Sequence, residues 1–199
     1  MSYLIGSGIL DESVTDGSYD GTPANFVAAG GKDAQQGFAT AEPYIYENDI
    51  PAWGKPVALQ MIFDTGFPVY PEAMSVRSDD LETLTPCLEK LVPVMQQADV
   101  DYFEDPSTTN ALIIDLVEQY NNGWVYSAEV ADFAVEQMKK LEIATNGDNA
   151  YVGDIDEARM QSVIDILTPI YTEAGAPPKS GLAPADLFTN EFLDQSIGF

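Results

Sequence analysis

The sequence predicts an α/β chain whose C-terminal half is mainly helical, and three observations carry that reading. The first is the stretch Asn25–Glu47, where a run of small residues after Phe38 reads as a short buried strand and leads into a helix start. The second is Val57–Phe63, VALQMIF, an almost continuous apolar run of the kind a strand covered on both faces shows. The third is the switch, from Ser78 onward, to apolar residues recurring close to every 3.6 positions, the period of an amphipathic helix.

In order along the chain, Tyr3–Leu10 is a short helical pattern broken at Gly6 and Gly8. Asp11–Gly21 is polar and glycine-bearing, a loop. Thr22–Ala29 is helical with Pro23 at its start, and Gly30 and Gly31 end it, because glycine takes the left-handed end conformation without a Cβ penalty. Phe38–Ala41 is the small-residue strand. Thr40 is placed to cap the next helix, whose first turn holds Glu42 and Pro43. Pro51–Gly54 is a turn. Asp64–Pro68 breaks the strand at Val57–Phe63. Val69–Val76 resumes an extended pattern that Pro71 confines to an edge or a crossing. Four helices follow, over Asp79–Ala98 with a kink at Pro93, Pro106–Tyr120 stopped by Asn121–Gly123, Ser127–Ile143 capped by Ser127, and Asp154–Ala174 ended by Gly175. A short element over Asp186–Leu193 closes the chain.

Composition narrows the function. The chain of 199 residues is 45% hydrophobic, enough to bury a core, and carries 33 Asp plus Glu against 8 Lys plus Arg, a formal net charge of −25. That surface repels nucleic acid and anionic membranes, so neither is an expected partner. The acids are spread along the chain rather than gathered in a tail. Such a balance suits either a high-salt habitat, where repulsion is screened, or simply an acidic secreted protein. Histidine is absent, which removes Ser-His-Asp and Cys-His catalysis and histidine metal sites. Cys87 is a lone cysteine within a helical pattern and reads as a small core residue. Asn146–Asn149 is oxygen-rich but lacks the spacing of a calcium loop, so it reads as a turn and no metal is expected. No apolar run reaches the length of a membrane span, and Met1–Leu10 has neither the basic start nor the cleavage pattern of a signal peptide.

Two groups of residues are candidates for ligand contact, and no residue is a catalytic candidate. The first holds Thr40, Glu42, Tyr44 and Tyr46, with Asn25 on the helix facing them. Backbone N–H groups at a helix start bind oxygen acceptors, and tyrosine adds a flat face with a hydroxyl. The second is Asp64, Thr65, Gly66 and Phe67, at the carboxyl end of a buried strand, where open sheets bind ligands. Each has a plainer alternative: tyrosines half-buried on a core at an ordinary joint, a simple glycine turn, and, for Asn25, a surface or capping residue. Trp53 and Trp124 read as packing anchors in loops.

The segments GGKDAQQGFATAEPYIYEN (Gly30–Asn48) and LFTNEFLDQSIGF (Leu187–Phe199) resemble ABC-transporter substrate-binding proteins of the NMT1/THI5-like, nitrate/taurine-type group. The resemblance runs from about Tyr3 to the last residue. It implies a type II periplasmic-binding-protein architecture, of which this chain is the C-terminal part. Residues 1–66 then belong to the second α/β lobe, 67–77 to the hinge crossing, and 78–199 to the mainly helical remainder of the first lobe. It further implies a solute receptor that delivers a small molecule to an ABC permease, with a parent that is extracytoplasmic and no cofactor of its own. Anion binders in such a group want a guanidinium fork, and Arg77 and Arg159 are the only arginines. Aromatic residues cluster around positions 44–70 instead, which favours a flat heteroaromatic ligand such as a flavin or a thiamine-precursor pyrimidine. The rival readings are an enzyme similar to the pyrimidine synthases of thiamine biosynthesis, whose dependence on a histidine and pyridoxal phosphate the lack of histidine opposes, and a nonfunctional truncated remnant.

Overall fold

A computed structural model describes residues 1–18, 21–121 and 123–199. The described residues form seven α-helices joined by turns and short 3-10 segments: α1 (Ser2–Gly6), α2 (Ala24–Ala28), α3 (Glu42–Asn48), α4 (Leu81–Glu104), α5 (Ser107–Tyr120), α6 (Ala128–Lys140) and α7 (Glu157–Glu173). They contain no β-strand. The expected α/β class, and with it the two-lobed sheet architecture, is therefore corrected to a helical fold without a strand among the described residues.

The reason lies in what the apolar runs lack. A strand needs a neighbour for its backbone N–H and C=O groups. Phe38–Ala41 instead closes a turn, with the Ala41 and Glu42 N–H groups both donating to the Phe38 carbonyl at 3.0 and 3.2 Å. Val57–Ile62 is irregular, and Phe63–Thr65 winds into a 3-10 turn. Pro56, Pro68 and Pro71 bring no N–H to any ladder. Leu59, Ile62 and Phe63 remain 52%, 45% and 57% exposed, so a continuous apolar run is not evidence of burial here. Val69–Val76 is likewise irregular.

The helices follow the periodicity closely. Ser127 caps α6, its hydroxyl accepting from the Val130 N–H at 3.2 Å, with Glu129 in the first turn and Lys139 and Lys140 in the last, each on the end the helix dipole favours. Asp156 caps α7, accepting from the Arg159 N–H at 2.6 Å. Asn121 takes the left-handed conformation (φ 42°) that ends α5, and Gly175 (φ 78°) follows α7; Asn122 lies outside the described residues. Helix α4 runs unbroken through Pro86 and Pro93 and beyond the expected end at Ala98. Cys87 is exposed rather than in the core. The expected element at Asp186–Leu193 is a 3-10 turn over Pro184–Asp186.

The chain divides into two compact units, each assembled from three segments. The first comprises Met1–Asp20, Gln60–Lys90 and Gly153–Leu193. In it α1 packs on α7 so closely that a Cβ on Gly6 would sit 2.6 Å from Ile170 Cγ2. Arg159 holds the 68–70 segment, its guanidinium donating to the Pro68 and Val69 carbonyls at 2.7 and 2.9 Å and lying 3.9 Å over the Tyr70 ring. Asn190 exchanges hydrogen bonds with the Ile155 backbone at 3.0 and 2.9 Å.

The second unit comprises Gly21–Leu59, Leu91–Val152 and Asp194–Phe199. Its core is the buried face of α6, Val130, Ala131, Ala134 and Val135, against which α5 and α3 pack. Buried Gln96 fastens the chain's last residues: its side chain donates to the Val152 carbonyl at 2.7 Å and accepts from the Asp194 N–H at 2.8 Å.

Candidate functional site

The two expected groups of ligand residues fall in different units. Asn25, Thr40, Glu42, Tyr44 and Tyr46 belong to the second, and Asp64, Thr65, Gly66 and Phe67 to the first.

Within the second unit, Gly30 and Gly31 end α2 with positive φ (65° and 74°), as the glycine pair implies. Gly31 has a further role. A Cβ there would overlap Cη2 of Trp53, so the indole rests directly on the glycine backbone. Trp53 is placed by the turn after α3, where its backbone N–H donates to the Ile50 carbonyl at 2.8 Å. Phe26 from α2 and Tyr46 from α3 complete an aromatic corner. Their rings meet edge-on at 5.0 Å, and Trp53 lies 4.9 Å from Phe26 and 6.3 Å from Tyr46. Lys55 covers the indole, with Nζ 4.2 Å from the ring centroid, a cation–π contact. Tyr46 is 4% exposed. The Trp53 indole Nε1 is buried and has no hydrogen-bond acceptor among the described residues.

The remaining candidates of this group have other partners. Tyr44 turns to Phe133 of α6, ring to ring at 5.6 Å, and desolvation, aided by the Asp49 and Glu129 carboxylates, pushes its phenol pKa up. Glu42 reaches back to accept the Phe38 N–H at 2.6 Å, so its carboxylate closes its own turn. Thr40 is half-buried and is not the cap of α3: that position is Ala41, without a side-chain hydrogen bond. The N–H groups of Ala41 and of Glu42, the first residue of α3, are taken by the Phe38 carbonyl. Asn25 is exposed on α2.

In the first unit, the group at 64–67 is a packed turn. Gly66 (φ 95°) takes the left-handed conformation that closes the 3-10 segment. The Tyr3 hydroxyl donates to the Thr65 carbonyl at 2.7 Å, and the Tyr3 ring stacks on Phe67 at 4.3 Å and 13°. The Thr65 hydroxyl donates to the Ile62 carbonyl at 2.6 Å, and Asp64 is exposed. These contacts match the glycine-turn alternative.

Phe26 and Lys55, which join Trp53 in this corner, were not among the sequence candidates, and Trp53 read chiefly as a packing anchor with ligand contact the lesser alternative. The legible signal was the pair Gly30–Gly31, since a second consecutive glycine points to close approach by another group. Of the arginines, Arg159 is committed to backbone carbonyls, and Arg77 pairs with Asp80 at 3.1 Å on the surface. No cluster of three metal-ligating side chains occurs among the described residues. No helix of the described residues is long and apolar enough to cross a membrane. Comparison with protein-family models, with curated proteins and with solved structures returns no match.

Proposed function

We propose that the chain is a solute-binding component of an uptake transporter and holds a flat heteroaromatic molecule at the corner of Phe26, Tyr46, Trp53 and Lys55. The observation that carries the ligand half of this reading is the buried indole N–H of Trp53, with no acceptor among the described residues. A donor buried in that state costs about 1–3 kcal/mol, which an incoming carbonyl or ring nitrogen recovers. A flavin or an aminopyrimidine offers both an acceptor and a flat face for the surrounding rings. The transport half is supported by the resemblance of Gly30–Asn48 and Leu187–Phe199 to substrate-binding proteins, which makes an ABC permease the partner and the extracytoplasmic side the site of action. Binding at a corner of helices and a turn takes the place of the sheet-edge cleft expected from the sequence.

The test uses a Trp124→Phe background, in which Trp53 is the sole indole. Riboflavin and a 4-amino-5-hydroxymethylpyrimidine are titrated by fluorescence and by calorimetry. The expected outcome is saturable binding of one of them, weakened about tenfold or more by Trp53→Phe, which removes the donor while keeping an aromatic ring. Absence of saturable binding, or equal affinity in Trp53→Phe, refutes the reading.

A further inference from the structure

The second unit carries a cleft remote in sequence from the aromatic corner, where the C-terminal ends of α4 and α6 meet the last residues of the chain. Its volume is about 460 Å³, and it is lined by Val100, Phe103, Glu104, Lys139, Ala144 and Phe199. It is a shallow depression, widely open to solvent, and its lining is mostly apolar with two charged side chains.

The aromatic wall is held in place. Phe199 meets Phe103 edge-on at 5.4 Å and 86°. Its backbone is gripped by Asn146, whose side chain accepts from the Phe199 N–H at 2.8 Å and donates to the Phe199 carbonyl at 3.0 Å. Gly198 passes so close to the Ala150 carbonyl that a Cβ would overlap it.

The charges define the ligand. Glu104 and Lys139 line one cleft, and neither forms an ion pair or a side-chain hydrogen bond with another described residue. Lys139 in the last turn of α6 also has an ordinary explanation, because a cation is favoured at a helix C-terminus. Glu104 has none. It is the last residue of α4, where an anion adds to the negative end of the dipole. Together Glu104 and that helix end attract a cationic group, while Lys139 attracts an anionic one. A net charge of −25 disfavours ligands that are anionic overall, and a neutral zwitterion escapes that repulsion. We infer that this cleft binds a small aromatic zwitterion, with its ring against Phe103 and Phe199, its ammonium toward Glu104 and its carboxylate toward Lys139.

The experiment compares L-phenylalanine, phenylacetate and phenethylamine by ligand-observed NMR and calorimetry on the full chain, using wild type, Lys139→Gln, Glu104→Gln and Phe103→Ala. Both charged positions are exposed, so their variants retain the fold, which circular dichroism verifies. L-Phenylalanine should bind about tenfold or more tightly than either ligand that lacks one charge, as expected for one charge-assisted contact at 1.4 kcal/mol per tenfold. Lys139→Gln should remove the advantage over phenethylamine, and Glu104→Gln the advantage over phenylacetate. Phe103→Ala should weaken all three. Equal binding of the three ligands, indifference to both charge variants, or no binding by a folded wild type overturns the inference. Trp53→Phe should leave this site untouched, so its failure and that of the transport reading are separable.

Discussion

Replacing Gly31 with alanine tests the packing of the aromatic corner directly. Two penalties apply at this position. The backbone is left-handed (φ 74°), a conformation that costs an L-residue about 1–2 kcal/mol. The new methyl would also overlap Trp53 Cη2 and lie 3.1 Å from Cζ3. Displacing a packed ring from such an overlap costs about 1–3 kcal/mol. The total is roughly 2–5 kcal/mol, a large part of the 5–15 kcal/mol typical of a whole domain. Gly30 supplies the control. Its φ is also positive (65°), but a Cβ there meets no atom within 4 Å, so Gly30→Ala should show only the backbone penalty of about 1–2 kcal/mol. Urea unfolding followed by circular dichroism measures both. A double variant, Gly31→Ala with Trp53→Leu, should recover the overlap share, a coupling that a mutant cycle isolates. Equal losses at 30 and 31, or the absence of coupling to Trp53, would refute the indole's rest on Gly31 and with it the geometry proposed for the ligand.

Arg159→Lys should destabilise the first unit by about 2–4 kcal/mol, because lysine cannot make the forked donation to Pro68 and Val69 while stacking on Tyr70; a thermal midpoint within a degree or two of wild type would count against that role. Gln96→Ala should free the Val152 and Asp194 backbones, read as faster amide exchange around those residues at a stability cost of about 2–3 kcal/mol, with no change in exchange as the contrary result. Asp186 has its pKa lowered, first by hydrogen bonding to Lys179 and then by the Ala183 N–H, so its stabilising contribution is complete above the ordinary carboxylate value of 3.8 and is lost as pH falls below it. Asp186→Asn should accordingly lower the melting temperature at neutral pH, by a gap that narrows as pH falls below 3.8, and a gap of constant size down into acid would contradict the assignment. Raising sodium chloride from about 0.1 to 1 M shortens the Debye length from about 10 to 3 Å and should raise the melting temperature, since the net charge of −25 opposes compaction.

The helical part of this protein was legible in its amino-acid sequence. Ser127 with its acidic first turn, Gly175 after α7, and the glycine pair after α2 each act through neighbours within a few residues, so the local pattern contains the information. The period of Leu84, Leu88 and Leu91 marked α4 for the same reason. What the sequence could not decide was anything that needs a partner distant along the chain. VALQMIF has a strand's composition, but a strand exists only if another segment meets its backbone, and none does among the described residues. Tyr44, Tyr46 and Glu42 looked like one ligand-facing group because they sit within five positions of one another. The tertiary structure sent one ring to Phe133, the other to Phe26 and Trp53, and the carboxylate back to Phe38. Successive side chains on a helix point about 100° apart, so closeness in sequence does not place them on one face. Which of them share a surface depends on the elements packed around α3, and that packing is set by the whole chain.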